Sequence, residues 1–318
     1  MKKYELTDEY IEIGLVTKIK LYRIKALVTI ASIGVGAGDL GGYVEKESNL
    51  DQSGNAWVYG NAKVYGNAEV YGNARVFDDA WVYGNAWVYG NAEVYGNTKV
   101  FDDAEVCGNA GVFDDAKVFD DAEVCGNARV FDDAKVYGNA EVFDDARVFD
   151  DAWVYGNAKV YGNAEVCGNA RVCGNARVFD DAEVYGNAEV CGNARVYGNA
   201  KVYGNAKVFD DAEVCGNARV FDDAEVCGNA KVYGNAEVCG NARVYERSDI
   251  VWFSNVGTEY GTLTVFKTKQ GVLWVTRGCF SGSVEEFLKK SAEVHDEKNK
   301  REYQLLIEVA KSRLEETQ

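Results

Sequence analysis

From Asn55 to Glu246 the chain is 32 consecutive hexapeptides with no insertion, and no other feature limits its fold as much. The first unit reads Asn55-Ala56-Trp57-Val58-Tyr59-Gly60, and the last runs from Asn241 to Glu246. Position two is alanine in every unit except at Thr98, and position four is always valine. Position three is variable and mostly charged, while position five is Tyr, Phe or Cys. Each of the ten Phe units is followed by Asp-Asp, whereas Tyr and Cys units run into Gly-Asn until Glu246 closes the series. The alternation has period two, so alanine and valine share one side of a short strand and positions three and five share the other. Position three holds eleven Glu, eight Lys and eight Arg, which makes that second side the wet one. Gly, Asn and Asp tolerate positive φ and supply a bend after each strand. Three strands and three bends close a triangular coil of 18 residues, and strands 18 residues apart stack at about 4.8 Å. The expectation is a mainly β protein: three parallel sheets around a thin Val/Ala core, ten to eleven coils forming a rod about 50 Å long.

The repeat leaves two flanks, and three regions follow: an N-terminal β cap at 1–54, the solenoid at 55–246 and a C-terminal segment at 247–318. In the first flank, apolar alternation around Ile19–Leu27 and Gly-rich bends between Gly34 and Gly42 predict three or four strands. The apolar stretch Ala26–Val35 reads as a strand, not a secretory leader, because it starts late and follows Asp8, Glu9 and Glu12. In the last flank, Ile250–Val256, Thr262–Thr268 and Val272–Phe280 read as strands, giving a β-β-β-α-α order. Ser283 with Glu286 forms a capping box for a helix starting near Val284. A second helix is expected from about Lys300 to Leu314, with Tyr303, Leu306, Ile307, Ala310 and Leu314 on one face. An open solenoid end exposes strand edges, so capping is the plain role for both flanks; partner binding is the sharper one for the C-terminal segment. No run of 18 apolar residues exists, and a cytoplasmic protein is the default expectation.

Valine at one position, Asn three residues on and a small residue four residues on resembles the hexapeptide repeat of left-handed parallel β-helix proteins. The resemblance covers about 60% of the chain and implies left-handed winding, which the period alone does not. The entry segment Gly38-Asp39-Leu40-Gly41-Gly42-Tyr43-Val44-Glu45 is similar to that of uncharacterised bacterial and prophage-borne repeat proteins, some of which carry a transferase label. Acyltransferases of the superfamily use a histidine base near a coil and loops inserted between coils, and its carbonic anhydrases use three histidines on zinc. Here the single histidine is His295, outside the repeat, and no loop interrupts the 32 units. The expectation is therefore a protein that is not an enzyme, with no catalytic residues, no cofactor and no metal. Cys279 near Arg277, with His295 downstream, could form a nucleophile and base, but its apolar strand makes a core thiol the better reading. The eight repeat cysteines lack Cys-x-x-Cys spacing, so no zinc site is signalled. Cys107 and Cys125, like Cys173 and Cys191, are 18 apart and should stack. Cβ atoms about 4.8 Å apart exceed the spacing a disulfide prefers, so free thiols suited to a reducing cytosol are expected.

What remains is surface. The formal charge is −17, and the repeat carries 32 acids against 16 bases, so nearly all of the net charge lies on the solenoid. Direct phosphate contacts to nucleic acid are thereby disfavoured. Gross acidic density along the rod is about one per 1.6 Å, near that of duplex DNA. Asp114, Asp115, Asp132, Asp133, Asp150 and Asp151 should line one edge as a carboxylate ladder. Tyr59, Phe77, Tyr95, Phe113, Phe131 and Phe149 should form one aromatic ladder, and Tyr65, Tyr83, Phe101, Phe119, Tyr137 and Tyr155 a second. Ring stacking gives such columns a structural role, and exposed columns can also mark an interface. Three functions are carried forward. The first is an acidic binding protein, partly mimicking DNA, that occupies a basic surface of a protein partner. The second is a structural or self-assembling scaffold, perhaps part of a virion, and the third is a hexapeptide-repeat acyltransferase. The partner is thus a basic protein or a second copy, with neither nucleic acid nor membrane.

Overall fold

The computed structural model describes residues 2–314 and forms two compact units that divide between Asn163 and Ala164. The first begins with an antiparallel hairpin, β1 (Tyr4–Ile13) and β2 (Ile19–Ala26). β3 (Leu40–Val44) runs antiparallel to β2 but parallel to Lys63–Val64, pairing Tyr43 with Lys63 and Val44 with Val64. It thus turns an antiparallel start into a parallel stack. From there each hexapeptide contributes a strand of two to four residues whose partner lies 18 residues on. Trp57 faces Arg75, Lys63 faces Trp81 and Glu69 faces Trp87. The ladder is regular: Lys63 N–H donates to the Ala80 carbonyl at 2.9 Å, and Tyr65 N–H to that of Val82 at 3.1 Å. The repeat valines and alanines are inaccessible to solvent, as the period-two pattern requires. Thr98, the one departure, is also buried, and its hydroxyl donates to the Tyr95 carbonyl at 2.7 Å.

The corners work as the sequence implies. In Phe113-Asp114-Asp115-Ala116 the alanine N–H closes on the phenylalanine carbonyl at 3.4 Å, with Asp114 at φ 59°. All ten Asp-Asp corners hold their first Asp at positive φ, a region where Gly and Asp are favoured over branched residues. The open start of the solenoid is covered by the N-terminal strands. Lys3, almost fully buried, donates through Nζ to the Ala56 carbonyl at 2.9 Å, and Asn49 donates through Nδ2 to that of Ala68 at 2.8 Å. Burial lowers the Lys3 pKa to about 8, against the opposing pull of Asp51. The stretch Ala26–Val35 is not a strand beyond Ala26. It folds into a 3-10 turn at Ala31–Ile33, closed by an Ile30–Val35 bridge, because Gly34 at φ 69° turns the chain back.

The second unit continues the 18-residue register, for example Glu183 with Lys201 and Arg219 with Glu237. Four antiparallel strands follow instead of three: Ile250–Val256, Gly261–Lys267, Leu273–Arg277 and Phe280–Ser283. The stretch expected as one strand from Val272 to Phe280 is broken at Gly278-Cys279, where Gly278 takes φ 57°. α1 (Val284–Val294) is capped by Ser283, whose Oγ accepts the Glu286 N–H at 3.2 Å. α2 (Glu297–Leu314) buries Tyr303, Ile307, Ala310 and Leu314, with Leu306 partly covered, against Val251, Leu263, Val265 and Phe287. This β-β-β-β-α-α segment meets the final coils through Thr276, whose hydroxyl donates to the Glu237 carbonyl at 2.7 Å, and through Lys269 N–H, which donates to that of Asn241 at 3.0 Å.

Two expectations about sulfur are corrected. Cys107–Cys125 in the first unit and Cys173–Cys191 in the second are disulfides, each with Cα atoms 4.6 Å apart. That spacing lies within the range disulfides span, and rotation about χ1 brings together sulfurs that start from parallel Cβ directions. Cys279 is an exposed turn thiol and not part of the core.

Candidate interaction surfaces

The corner carboxylates expected to form a ladder are in place. Asp114, Asp132 and Asp150 hold φ of 59°, 56° and 57° on successive coils, followed by the exposed Asp115, Asp133 and Asp151. Each first-position Asp has a Cβ where most corners have glycine, and its carboxylate can reach the coil above. Oδ2 of Asp132 accepts the Asp150 N–H at 3.4 Å, and Oδ2 of Asp120 accepts the Gly138 N–H at 3.0 Å. The second corner position makes a ladder that the sequence reading missed. Asn55, Asn73, Asn91, Asn109 and Asn127 each donate through Nδ2 to the residue 18 further on, and the series ends on Asp145 Oδ1 at 3.0 Å. Its signal is the 18-residue recurrence of Asn, which was read only as bend chemistry.

The aromatic ladders also form, half-buried on the outer side. Phe77, Tyr95, Phe113, Phe131 and Phe149 stack at 4.8–5.0 Å between ring centres, while Tyr59 meets Phe77 edge-on at 6.2 Å. Tyr65, Tyr83, Phe101, Phe119, Tyr137 and Tyr155 stack at 4.8–5.1 Å. In the third column Tyr71 stacks on Tyr89 and Phe143 on Tyr161, and the Cys107–Cys125 disulfide takes the rung between them. Burial pushes the phenols of Tyr65 and Tyr89 up to about 12, helped at Tyr65 by Tyr83 and at Tyr89 by a hydrogen bond to Glu105.

Position three assigns each side of the first unit a different charge. One face carries Trp57, Arg75, Glu93, Gly111, Arg129 and Arg147. The next carries Lys63, Trp81, Lys99, Lys117, Lys135 and Trp153. The third carries Glu69, Trp87, Glu105, Glu123, Glu141 and Lys159. Burial and the flanking Glu105 and Glu141 charges hold the Glu123 carboxyl above the usual range. Counting net charge over the whole repeat hid this separation.

In the C-terminal segment, Arg277, Cys279, Phe280, Phe287, His295 and Tyr303 line one cavity of about 370 Å³. The suspected nucleophile and base thus share a wall, but His295 Nδ1 pairs with Ser291 Oγ at 3.2 Å, and Arg277 donates to the Val256 carbonyl at 3.0 Å. Among the described residues no group of three or more His, Cys, Asp and Glu is arranged to hold a metal, and no helix is long and apolar enough to cross a membrane.

Three segments of the chain, residues 68–84, 170–186 and 188–204, match the family model described as YdcK Beta solenoid repeat. None of the curated proteins compared with the chain matches it. The matched segments are each nearly one coil long, in agreement with the 18-residue stacking.

Proposed function

We propose that this β-solenoid repeat protein is a non-catalytic binding scaffold whose acidic edge docks on a basic surface of a protein partner. The observation that carries this reading is the edge formed by Asp114, Asp115, Asp132, Asp133, Asp150 and Asp151, six carboxylates on three successive coils. Regularly spaced exposed acids steer a basic partner at long range and set register at contact. The likeness to duplex DNA is partial, since lysine and arginine faces flank this edge. A phage or mobile-element setting rests on the entry-segment resemblance alone. The two disulfides favour an oxidising compartment over the cytosol.

The test is retention of DNA-binding proteins from the host on the immobilised protein at low salt. Duplex DNA should compete, retention should fall steeply with salt, and Asp→Asn at the six positions should abolish it. Retention that survives the six changes refutes the reading. A scaffold role is the second reading, favoured by the separated charges of the first unit.

A further inference from the structure

We propose that the lysine face of the first unit docks on the glutamate face of a second copy of this chain, coil upon coil. The two faces carry matched ladders. Each lysine unit is followed six residues later by a glutamate unit: Lys63 and Glu69, Lys99 and Glu105, Lys117 and Glu123, Lys135 and Glu141. The same holds for the tryptophans Trp81 and Trp87. Because six residues are one third of a coil, each pair sits at nearly the same height on adjacent faces. Both ladders therefore repeat at the same rise, about 4.8 Å per coil. Two copies laid side by side in parallel set all four lysine levels against glutamate levels and Trp81 against Trp87.

Charge complementarity selects this partner over its alternatives. Lysine face on lysine face, or glutamate face on glutamate face, opposes like charges at every paired level. Within one chain the ladders are left largely uncompensated. Lys99, Lys117 and Lys135 make no ion pair among the described residues; Lys99 and Lys135 instead lie over Trp81 and Trp153 at 5.7 and 4.4 Å. Glu69 and Glu123 are exposed and unpaired, and Glu105 accepts only the Tyr89 hydroxyl at 3.0 Å. Glu141 alone is already met within the chain, by Lys159 at 2.7 Å. Trp87, 43% exposed at the level of Trp81, supplies the apolar contact that the ion pairs would frame. Charges stacked in register with their own kind repel along the ladder, and the opposite ladder of a second copy relieves both.

Sedimentation of the full chain across concentration and ionic strength tests this. The wild type should associate at low salt and dissociate as salt screens the faces. Lys99→Glu with Lys117→Glu and Lys135→Glu should be monomeric, and so should Glu69→Lys with Glu105→Lys and Glu123→Lys. An equimolar mixture of the two triple variants should associate again, since each supplies the face the other lost; this also shows that both are folded. A wild type that stays monomeric at low salt overturns the proposal. So does association that survives either triple change, or a mixture that fails to restore it. The corner aspartates are untouched, so the outcome is independent of the partner proposed above.

Discussion

The coils before Asn163 and those after it share one repeat, one core and one register, yet they handle surface charge in opposite ways. In the second unit opposite charges stack on the same face. Lys201 meets Glu183 at 2.8 Å, Arg219 meets Glu237 at 3.4 Å, and Glu213 takes both Lys231 at 2.8 Å and Arg195 at 3.8 Å. In the first unit only Arg75 with Glu93 and Lys159 with Glu141 pair in this manner, and the rest are sorted face by face. A core of valine and alanine does not care which arrangement is used. The fold is set on the inner side of each strand, and the outer side is free to be neutral or to be written for a partner.

The largest effect should be the one that both units share. Val112→Asp and Val202→Asp each place an unpaired charge in a sealed core, and each should lower unfolding stability by about 4 kcal/mol or more. A clear inequality in chemical denaturation would break the claim of a common core. Next come the disulfides. Thiol titration of the unreduced protein should find five free cysteines out of nine. Reduction should cost each unit about 3 kcal/mol for an 18-residue closure. Nine reactive thiols in the denatured, unreduced protein would restore the free-thiol expectation.

The sharpest contrast is in sign. Glu213→Gln loses two ion pairs and should destabilise the second unit by about 1 kcal/mol. Glu123→Gln removes a charge held between Glu105 and Glu141 and should stabilise the first by about 0.5 kcal/mol. Shifts of the same sign in thermal melts would erase the distinction. The smallest effect is spectroscopic. Tyr65 and Tyr89 should ionise only near 12, chiefly through burial. Tyr197 in the second unit should do so near 12 chiefly through its hydrogen bond with Cys215. Because these folded values lie above the ordinary value near 10, their contribution to stability is complete below pH 10 and is lost as pH rises through 12. Ultraviolet titration of Cys215→Ala should return Tyr197 toward the ordinary range and leave Tyr65 and Tyr89 in place.

Much of this was legible in the sequence because a repeat multiplies weak local signals. Invariant valine and alanine placed the core, and the Gly or Asp that begins each corner announced positive φ. The 18-residue coil then located the Asp corners and both aromatic ladders. Misreadings arose where one residue, not a pattern, decides. Cys107 and Cys125 were kept apart by a distance between Cβ atoms that side-chain rotation overcomes. Gly278 breaks a strand that hydrophobic character alone would continue through Cys279. The Asn ladder and the sorted faces were present at the same 18-residue spacing, but net charge and bend propensity average over the positions that distinguish them.

Because every hexapeptide offers the same valine and alanine, losing or gaining one between recombining repeats would leave the interior intact. Such a change would nonetheless rotate everything downstream by a third of a turn, carrying lysines onto the side that glutamates had occupied. Only steps of 18 residues preserve the outer pattern. Mutations of length in this molecule can thus be silent to folding and decisive for recognition, so natural length variants should differ by whole coils wherever the faces matter.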